Sequence, residues 1–136
     1  MIVWLFTGVV VLLMLLASFS LYLMAAGRAY VAGEGMWSKA QKQAVLALTR
    51  YALEHEPDDW RRYEQSLTVV LGDRQARLEL EKPDPDLEVV TRGFLAGRNH
   101  PEDIDGMVML FRTFRRMPEI DRAISIWAEG DAQIDR

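Results

Sequence analysis

The sequence contains no cysteine, and no charged side chain occurs before Arg28. The absence of cysteine excludes disulfides and thiolate metal sites, and it leaves the cellular compartment open. No basic segment precedes the N-terminal apolar run, whereas a cleaved secretory signal carries one before about 7–15 apolar residues. The small residues Ala25, Ala26 and Gly27 leave cleavage open as an alternative. The length of the run favours an uncleaved membrane anchor.

The N-terminal segment is long enough to cross a membrane as one helix. Residues 2–26 are uncharged and mostly apolar, and about 20 such residues cover a hydrocarbon core roughly 30 Å thick. Trp4 near one end, and Tyr22 and Tyr30 near the other, are aromatic residues of the type that settles at membrane interfaces. We therefore predict a transmembrane anchor helix over residues 1–27.

Residues 28–136 carry all 16 Lys and Arg residues and all 20 Asp and Glu residues, for a net charge of −4. This length of chain is sufficient for one small domain. The charges are mixed in sign and form no basic stripe, which a phosphate-binding surface would need, so we expect no nucleic-acid partner. We predict a single domain over residues 28–136.

Proline followed by an acidic residue marks four positions in this domain. Proline fits the first turn of a helix because its missing N–H has no partner there, and carboxylates in that turn face the positive end of the helix dipole. We interpret each pair as a helix start, with Asp84 capping one helix and either Asn99 or Asp103 capping the next. The pairs are Pro57-Asp58, Pro85-Asp86, Pro101-Glu102 and Pro118-Glu119.

Apolar residues recur every three or four positions through the predicted helices, and no useful stretch alternates with period two. An earlier helix is predicted over residues 36–55, and Gly33 and Gly35 before it permit either a break or a continuous helix. The predicted fold class is all-α, with an N-terminal transmembrane helix followed by an antiparallel helical bundle. The later stripes are Trp60, Tyr63, Leu67, Val70, Leu71 and Leu78; Leu87, Val90, Phe94 and Leu95; Ile104, Met107, Val108, Phe111 and Phe114; and Ile120, Ala123, Ile124, Trp127 and Ile134.

Five segments, from the end of the apolar run onward, resemble segments of known proteins. They read AAGRAY (25–30), GEGMWSKAQK (33–42), GRNHPEDIDGM (97–107), LFRTFR (110–115) and IDRAISIWAEGD (120–131). Their succession resembles the N-terminal extracytoplasmic regions of membrane-bound diguanylate cyclases, cyclic-di-GMP phosphodiesterases and hybrid sensor histidine kinases. The resemblance covers nearly all of the chain after the anchor, and it does not specify the output because one kind of sensor is joined to several enzymes.

The resemblance implies the sensory input module of a bacterial transmembrane receptor, of the kind used in cyclic-di-GMP signalling. It implies an anchor in the bacterial inner membrane, a periplasmic soluble part, a homodimer, and a small-molecule or protein ligand. In such receptors a second membrane helix and a catalytic domain follow, so we expect the domain to be truncated at its C-terminal end and the chain not to be an enzyme. The positions of Arg28, Lys39 and Lys42 after the anchor, with no basic residue before it, instead favour a cytoplasmic soluble part.

The most polar helix junction contains four of the candidate ligand-binding residues. As a functional site, this junction would place Arg98 to hold an anionic ligand at the start of the following helix, with Asn99, His100 and Asp103 beside it. The alternative is that Asn99 caps this helix and the acidic residues interact with its dipole. A single histidine among crowded carboxylates lacks the convergent spacing of a metal site, so we expect neither a metal nor another cofactor.

Trp37, Lys39 and Arg112 complete the set of ligand-binding candidates. Trp37 belongs to a group of aromatic residues that either line a pocket between helices or form plain core. Arg112 belongs to a basic cluster that either binds an anionic group or is solvated. Lys39 lies on the polar part of the helix after the anchor. The other aromatic residues are Tyr51, Trp60, Tyr63 and Trp127, and the other arginines are Arg115 and Arg116.

Two other classes of function stay open beside the sensor. The main alternative is a complete small membrane-anchored adaptor or interaction protein, which predicts a stable partner that co-purifies. The third class is a membrane-tethered enzyme, which predicts turnover that depends on polar residues near His100. No nucleophile–base pair, phosphate-binding glycine loop or pair of catalytic carboxylates occurs at a recognisable spacing. The sequence therefore favours a non-catalytic module.

Overall fold

The computed structural model describes residues 1–115 and, beyond them, residues 117, 118, 122, 124, 125, 129 and 130. Within this part of the chain there are four long helices and no strand. They are α1 (Ile2–Glu54), α2 (Pro57–Leu80), α3 (Leu87–Ala96) and α4 (Pro101–Phe114). The all-α prediction is therefore confirmed. The N-terminal part of α1 contains an apolar window of 18 residues that is long enough to cross a membrane, and none of that window is buried against the rest of the protein.

The first helix, α1, is uninterrupted over 53 residues, which gives a length of about 80 Å at the helical rise per residue. It continues through Gly33 and Gly35, which decides between the two arrangements that the sequence permits. A Cβ on Gly33 would lie 2.6 Å from Asn99 Oδ1, whereas a Cβ on Gly35 would meet nothing within 4 Å. Gly33 is therefore needed for close packing, and Gly35 is not.

Small residues on one face of α1 form its contacts with α2 and α4. Their spacing of three, four or seven residues places them on one side of the helix. Small side chains let the backbones approach closely, and a Cβ on Gly106 of α4 would lie 3.2 Å from the Cβ of Ala26. The helices contact one another mainly in the order α4, α1, α2, α3. The buried residues of α1 are Ala26, Ala29, Gly33, Ala40, Ala44 and Ala47.

Glycine also brings α2 and α3 together. A Cβ on Gly93 would lie 2.7 Å from the carbonyl oxygen of Gly72 and 2.8 Å from the backbone nitrogen of Ala76. Because the two backbones touch, large side chains are excluded from this face of α2. The predicted stripe of α2 is therefore partly wrong, and Leu71 and Leu78 are exposed. The buried residues of α2 are Asp59, Ser66, Val69, Val70, Gly72, Ala76, Arg77, Glu79 and Leu80.

The main apolar core combines residues from all four helices. The predicted apolar stripes of α3 and α4 are confirmed at five positions, which are buried: Val90, Phe94, Ile104, Met107 and Phe111. They are wrong at Leu87 and Leu95, which are exposed. Trp60 in the predicted stripe of α2 is exposed as well. A second, smaller cluster between α1 and α2 contains Ala40, Val69 and Val70. The main core consists of Ala29, Ala76, Leu80, Val90, Phe94, Ile104, Met107, Phe111 and Ile124.

The start of α3 differs from the prediction. The helix begins at Leu87, two residues after Pro85, and its N-cap is Asp86 rather than Asp84. The Asp86 carboxylate accepts hydrogen bonds from two backbone N–H groups of the first turn, at 2.9 and 3.3 Å. Its own N–H donates to Glu79 Oε1 at 3.1 Å, which holds Asp86 at the point where α3 begins.

The starts of α2 and α4 are as predicted, since Pro57 and Pro101 lie in their first turns. The cap of α4 is different. His100 Nδ1 accepts a hydrogen bond at 3.3 Å from the backbone N–H two residues further on. The prediction that Asn99 or Asp103 caps this helix is wrong, because the Asn99 side chain points into the protein and Asp103 lies inside the helix.

The predicted fifth helix falls mostly outside the described residues. Pro118, its predicted start, is helical, and Ile124 is buried in the main core. The other predicted stripe residues of this helix lie outside the described part of the chain: Ile120, Ala123, Trp127 and Ile134.

Candidate functional site

The predicted ligand-binding residues are spread over several parts of the fold. His100 is exposed and caps α4, Asp103 lies in the first turn of that helix, and Arg112 is exposed in its last turn. Lys39 is exposed on α1. Trp37, also on α1, packs against the small cluster between α1 and α2. The structure therefore does not bring these five residues into one pocket.

Asn99 is a buried residue with structural hydrogen bonds. Its Nδ2 donates to Asp73 Oδ1 at 2.8 Å and to the Phe94 carbonyl oxygen at 3.0 Å. Its Oδ1 faces Gly33 on α1, where a side chain would collide with it. Asn99 therefore connects the junction of α3 and α4 to both α2 and α1.

Arg98 has an unusual backbone conformation for an arginine. Its φ is 64°, in the left-handed region that glycine adopts most easily. The Arg98 N–H donates to the Leu95 carbonyl oxygen, and the Asn99 N–H donates to the Phe94 carbonyl oxygen, both at 3.0 Å. These two bonds define a Schellman motif, in which the left-handed position is usually glycine. An arginine at this position costs about 1 kcal/mol or more in backbone strain.

Arg98 lines an open groove between α1 and α2, which we call the arginine groove. The groove has a volume of about 270 Å³ and lies along the C-terminal part of α1. It is lined by Ala40, Gln43, Leu46, Ala47 and Arg50 of α1, by Asp59, Arg62, Gln65, Ser66 and Val69 of α2, and by Arg98. Three arginines and one acidic residue, Asp59, therefore line the same groove.

The charges in the arginine groove are only partly balanced. Arg62 Nη1 lies 3.2 Å from Asp59 Oδ1, and the Asp59 side chain is buried. Among the residues that the structure describes, Arg50 and Arg98 have no ion-pair or hydrogen-bond partner for their side chains. The groove therefore carries a surplus of positive charge at two side chains that are free to bind an anion.

Arg50 and Arg62 are functional candidates that the sequence analysis missed. They come from the end of α1 and the start of α2, so their convergence depends on how these helices pack. The sequence does contain a sign of Arg50: it follows Gln43 and Ala47 at intervals of four and three residues, which places it on the same face of α1 as the small residues. A basic residue in line with a stripe of small residues indicates a charged group at the edge of a close helix contact.

A second, smaller cavity lies nearer to the apolar segment. It has a volume of about 30 Å³, which is sufficient for a water molecule. Burial raises the pKa of the Tyr30 hydroxyl above its ordinary value; the Arg77 charge opposes this shift and the Asp73 charge adds to it. Arg77 Nη1 also lies 3.1 Å from Glu81 Oε1. The residues around this cavity are Tyr30, Gly33, Glu34, Trp37, Asp73, Arg74, Arg77, Phe94 and Met107.

The remaining candidates from the sequence do not form a site. The rings of Tyr51 and Trp60 are 5.1 Å apart and those of Trp60 and Tyr63 are 5.3 Å apart, so these aromatic side chains pack on one another at the connection of α1 and α2. Trp127 and Arg116 lie outside the described residues. In the described part of the chain, no group of three or more His, Cys, Asp or Glu side chains could hold a metal ion.

Comparisons with protein-family models, with characterised proteins and with solved structures find no match to this chain.

Proposed function

We propose that this chain is the input module of a bacterial transmembrane signalling receptor, anchored in the inner membrane by the apolar part of α1. The observation that carries this proposal is the continuity of α1. One helix contains both the exposed apolar segment and the small-residue face that packs against α2 and α4. A displacement of α2 or α4 relative to α1 therefore acts directly on the element that enters the membrane.

The exposure of the apolar segment supports its place in a bilayer. Eighteen large apolar or aromatic side chains between Met1 and Met24 are exposed. Leaving a Val, Leu, Ile, Phe or Met side chain in water forgoes about 1.5–3 kcal/mol, so the segment in water would forgo tens of kcal/mol. A domain of this size is stable by only about 5–15 kcal/mol. The segment therefore needs a cover, and a hydrocarbon core of matching thickness supplies it.

The proposal includes an antiparallel bundle outside the membrane. His55 and Glu56 alone connect α1 to α2, and the two helices have the most extensive contact in the described part of the chain. Such a short connection favours antiparallel neighbours. In this arrangement the connection of α1 and α2 is the end of the bundle farthest from the membrane.

Signalling requires two helix arrangements that a ligand distinguishes. A ligand shifts the equilibrium between them only by its difference in affinity for the two states. The contacts of α1 with α2 and α4 use Ala and Gly, whose small surfaces allow helices to slide or rotate by the small amounts typical of such switches. The resemblance to sensor regions supports a periplasmic bundle, a homodimer and a cytoplasmic output such as cyclic-di-GMP synthesis or breakdown.

The test is a chimera in which residues 1–136 are followed by a second membrane helix and a diguanylate cyclase domain. Two alanines inserted directly after Tyr22, before the first buried residue of α1 at Ala26, rotate the exposed apolar segment against the bundle by about 200°. We expect this insertion to change cyclic-di-GMP production severalfold. The control is an insertion of seven alanines, which restores the helix phase to within about 20° and is expected to restore the output.

Output that is the same for the uninserted chimera and for both insertions would contradict an input role for α1. A stable partner that co-purifies with such phase-insensitive variants would favour the anchored adaptor instead.

A further inference from the structure

We propose that the arginine groove is a binding site for a small, soluble organic dianion of the carboxylate or phosphate class. Guanidinium groups bind both kinds of group through paired, charge-assisted hydrogen bonds. Arg50, Arg62 and Arg98 all line one open space of about 270 Å³, a size that suits a small metabolite rather than a protein segment.

Charge determines the class of ligand. Asp59 neutralises Arg62, with which it forms an ion pair at 3.2 Å. Arg50 and Arg98 remain as two cationic side chains for which the described residues provide no partner. A ligand with two negative charges matches this surplus. Gln43, Gln65 and Ser66 line the same groove and add neutral hydrogen-bonding groups for other polar atoms of the ligand.

The backbone of Arg98 supplies an independent argument. The left-handed position of a Schellman motif favours glycine, and this chain has an arginine there with φ 64°. Helix packing does not require the guanidinium, because the Arg98 side chain is exposed and unpaired within the described residues. The Arg98 N–H and the following Asn99 N–H both donate hydrogen bonds to carbonyl oxygens of α3, those of Leu95 and Phe94. These bonds fix the backbone position from which Arg98 lines the groove.

The distance of the groove from the membrane distinguishes a soluble ligand from a lipid. Ala40, the groove residue closest to the apolar segment on α1, is about 20 Å along the helix from Gly27, and Arg50 is about 35 Å from it. The headgroup layer on each side of a bilayer is only about 5–8 Å thick. The groove therefore lies beyond the headgroups of the membrane in which α1 is anchored.

Binding is tested on the full chain in nanodiscs of zwitterionic lipid, by calorimetric titration with succinate and separately with inorganic phosphate at constant ionic strength. We expect saturable binding of at least one of the two dianions. We expect Arg98→Gln and Arg50→Gln each to raise the dissociation constant of the probe about tenfold or more, because each removes a charge-assisted hydrogen bond. The control is Arg61→Gln, which removes an exposed arginine of α2 that pairs with Asp58 outside the groove and should leave the affinity unchanged.

Absence of saturable binding of both probes would overturn the proposal, and so would equal weakening by Arg98→Gln and Arg61→Gln. Nanodiscs that contain anionic lipid test the source of the ligand. An unchanged dissociation constant for the probe supports a soluble anion as the ligand. Loss of probe binding in anionic lipid would show that lipid headgroups reach the groove, and it would overturn the proposal of a soluble ligand.

The role of this site as the receptor's signal input rests on the proposed function, and the two can fail separately. Phase-dependent output from the chimera without dianion binding would overturn the anion site alone. Dianion binding with phase-independent output would support the site and contradict the input module.

Discussion

The side-chain amide of Asn99 donates a hydrogen bond of 2.8 Å to the carboxylate of Asp73, 26 positions earlier in the chain. The bond joins the short connection between α3 and α4 to the middle of α2. Because Asn99 is buried and its amide also binds the Phe94 carbonyl oxygen, it holds the neighbouring Arg98 in place at the edge of the arginine groove.

Replacement of Asn99 by alanine should destabilise the domain. The substitution removes the two hydrogen bonds that the Asn99 amide donates, to Asp73 Oδ1 and to the Phe94 carbonyl oxygen, and each such bond contributes about 0.5–1.5 kcal/mol. We expect a lower midpoint in thermal unfolding of the full chain in detergent micelles, followed by circular dichroism. Gln75→Ala, at an exposed position of α2, is the control and should leave the midpoint nearly unchanged. Equal midpoints for the two variants would contradict the structural role of Asn99.

Two glycine-to-alanine substitutions should have opposite effects. A Cβ on Gly93 would come within 2.8 Å of backbone atoms of Gly72 and Ala76, so Gly93→Ala forces α2 and α3 apart at a cost of about 1–3 kcal/mol. Gly35→Ala meets nothing within 4 Å and should stabilise α1 by up to about 1 kcal/mol. Urea unfolding of both variants measures the difference, and a stabilised Gly93→Ala would show that the helices do not approach so closely.

Arg98→Gly should stabilise the fold and abolish dianion binding at the same time. Glycine relieves the strain of the left-handed backbone, which is about 1 kcal/mol, and removes the guanidinium from the groove. The unfolding midpoint should rise by a few degrees, while succinate and phosphate titrations lose their signal. An unfolding midpoint that falls would mean that the Arg98 side chain contributes to folding, and would remove the backbone argument for its role.

Glu79 should make stability depend on pH in the acidic range. The Lys82 side chain, which donates to Glu79 at 2.6 Å, and the Asp86 N–H hold the pKa of Glu79 below its ordinary value of 4.5. Because the folded state favours the ionised carboxylate, its contribution is present above this value and is lost as the pH falls through the lowered pKa. The stability difference between the native chain and Glu79→Gln should therefore shrink below pH 4.5.

Urea unfolding midpoints of both proteins, measured across that range, test the Glu79 account. A difference that stays constant on both sides of pH 4.5 would contradict a role for the Glu79 charge in holding the turn between α2 and α3.

The helical class and the apolar segment could be predicted from the sequence because both depend on local composition. The starts at Pro57 and Pro101 follow from the geometry of proline in the first turn, and they are confirmed. The start at Pro85 could not be predicted in the same way. There the N-cap is selected by Glu79, which binds the Asp86 N–H from the end of the preceding helix, and the sequence around Pro85 contains no sign of that contact.

The buried face of α2 and the arginine groove depend on contacts between distant parts of the chain. Periodicity assigns the largest apolar residues to the core, so it places Leu71 and Leu78 inside. The glycine contact between Gly72 and Gly93 instead buries small residues and leaves both leucines exposed. In the same way, the sequence offered Arg98 as a candidate for binding an anion at the start of α4, whereas in the structure it lines a groove together with Arg50 of α1 and Arg62 of α2.

The central claim, that α1 crosses a membrane and continues as part of the bundle, is tested most directly by thiol labelling. Because the chain has no cysteine, Leu13→Cys and Val45→Cys each introduce a unique thiol. Both positions are exposed in the protein alone, at 58% and 64%, so only a bilayer distinguishes them. A membrane-impermeant maleimide applied to sheared membrane fragments, in which both faces are accessible, should label the Val45→Cys variant and leave the Leu13→Cys variant unlabelled. Equal labelling of the two thiols would contradict the claim.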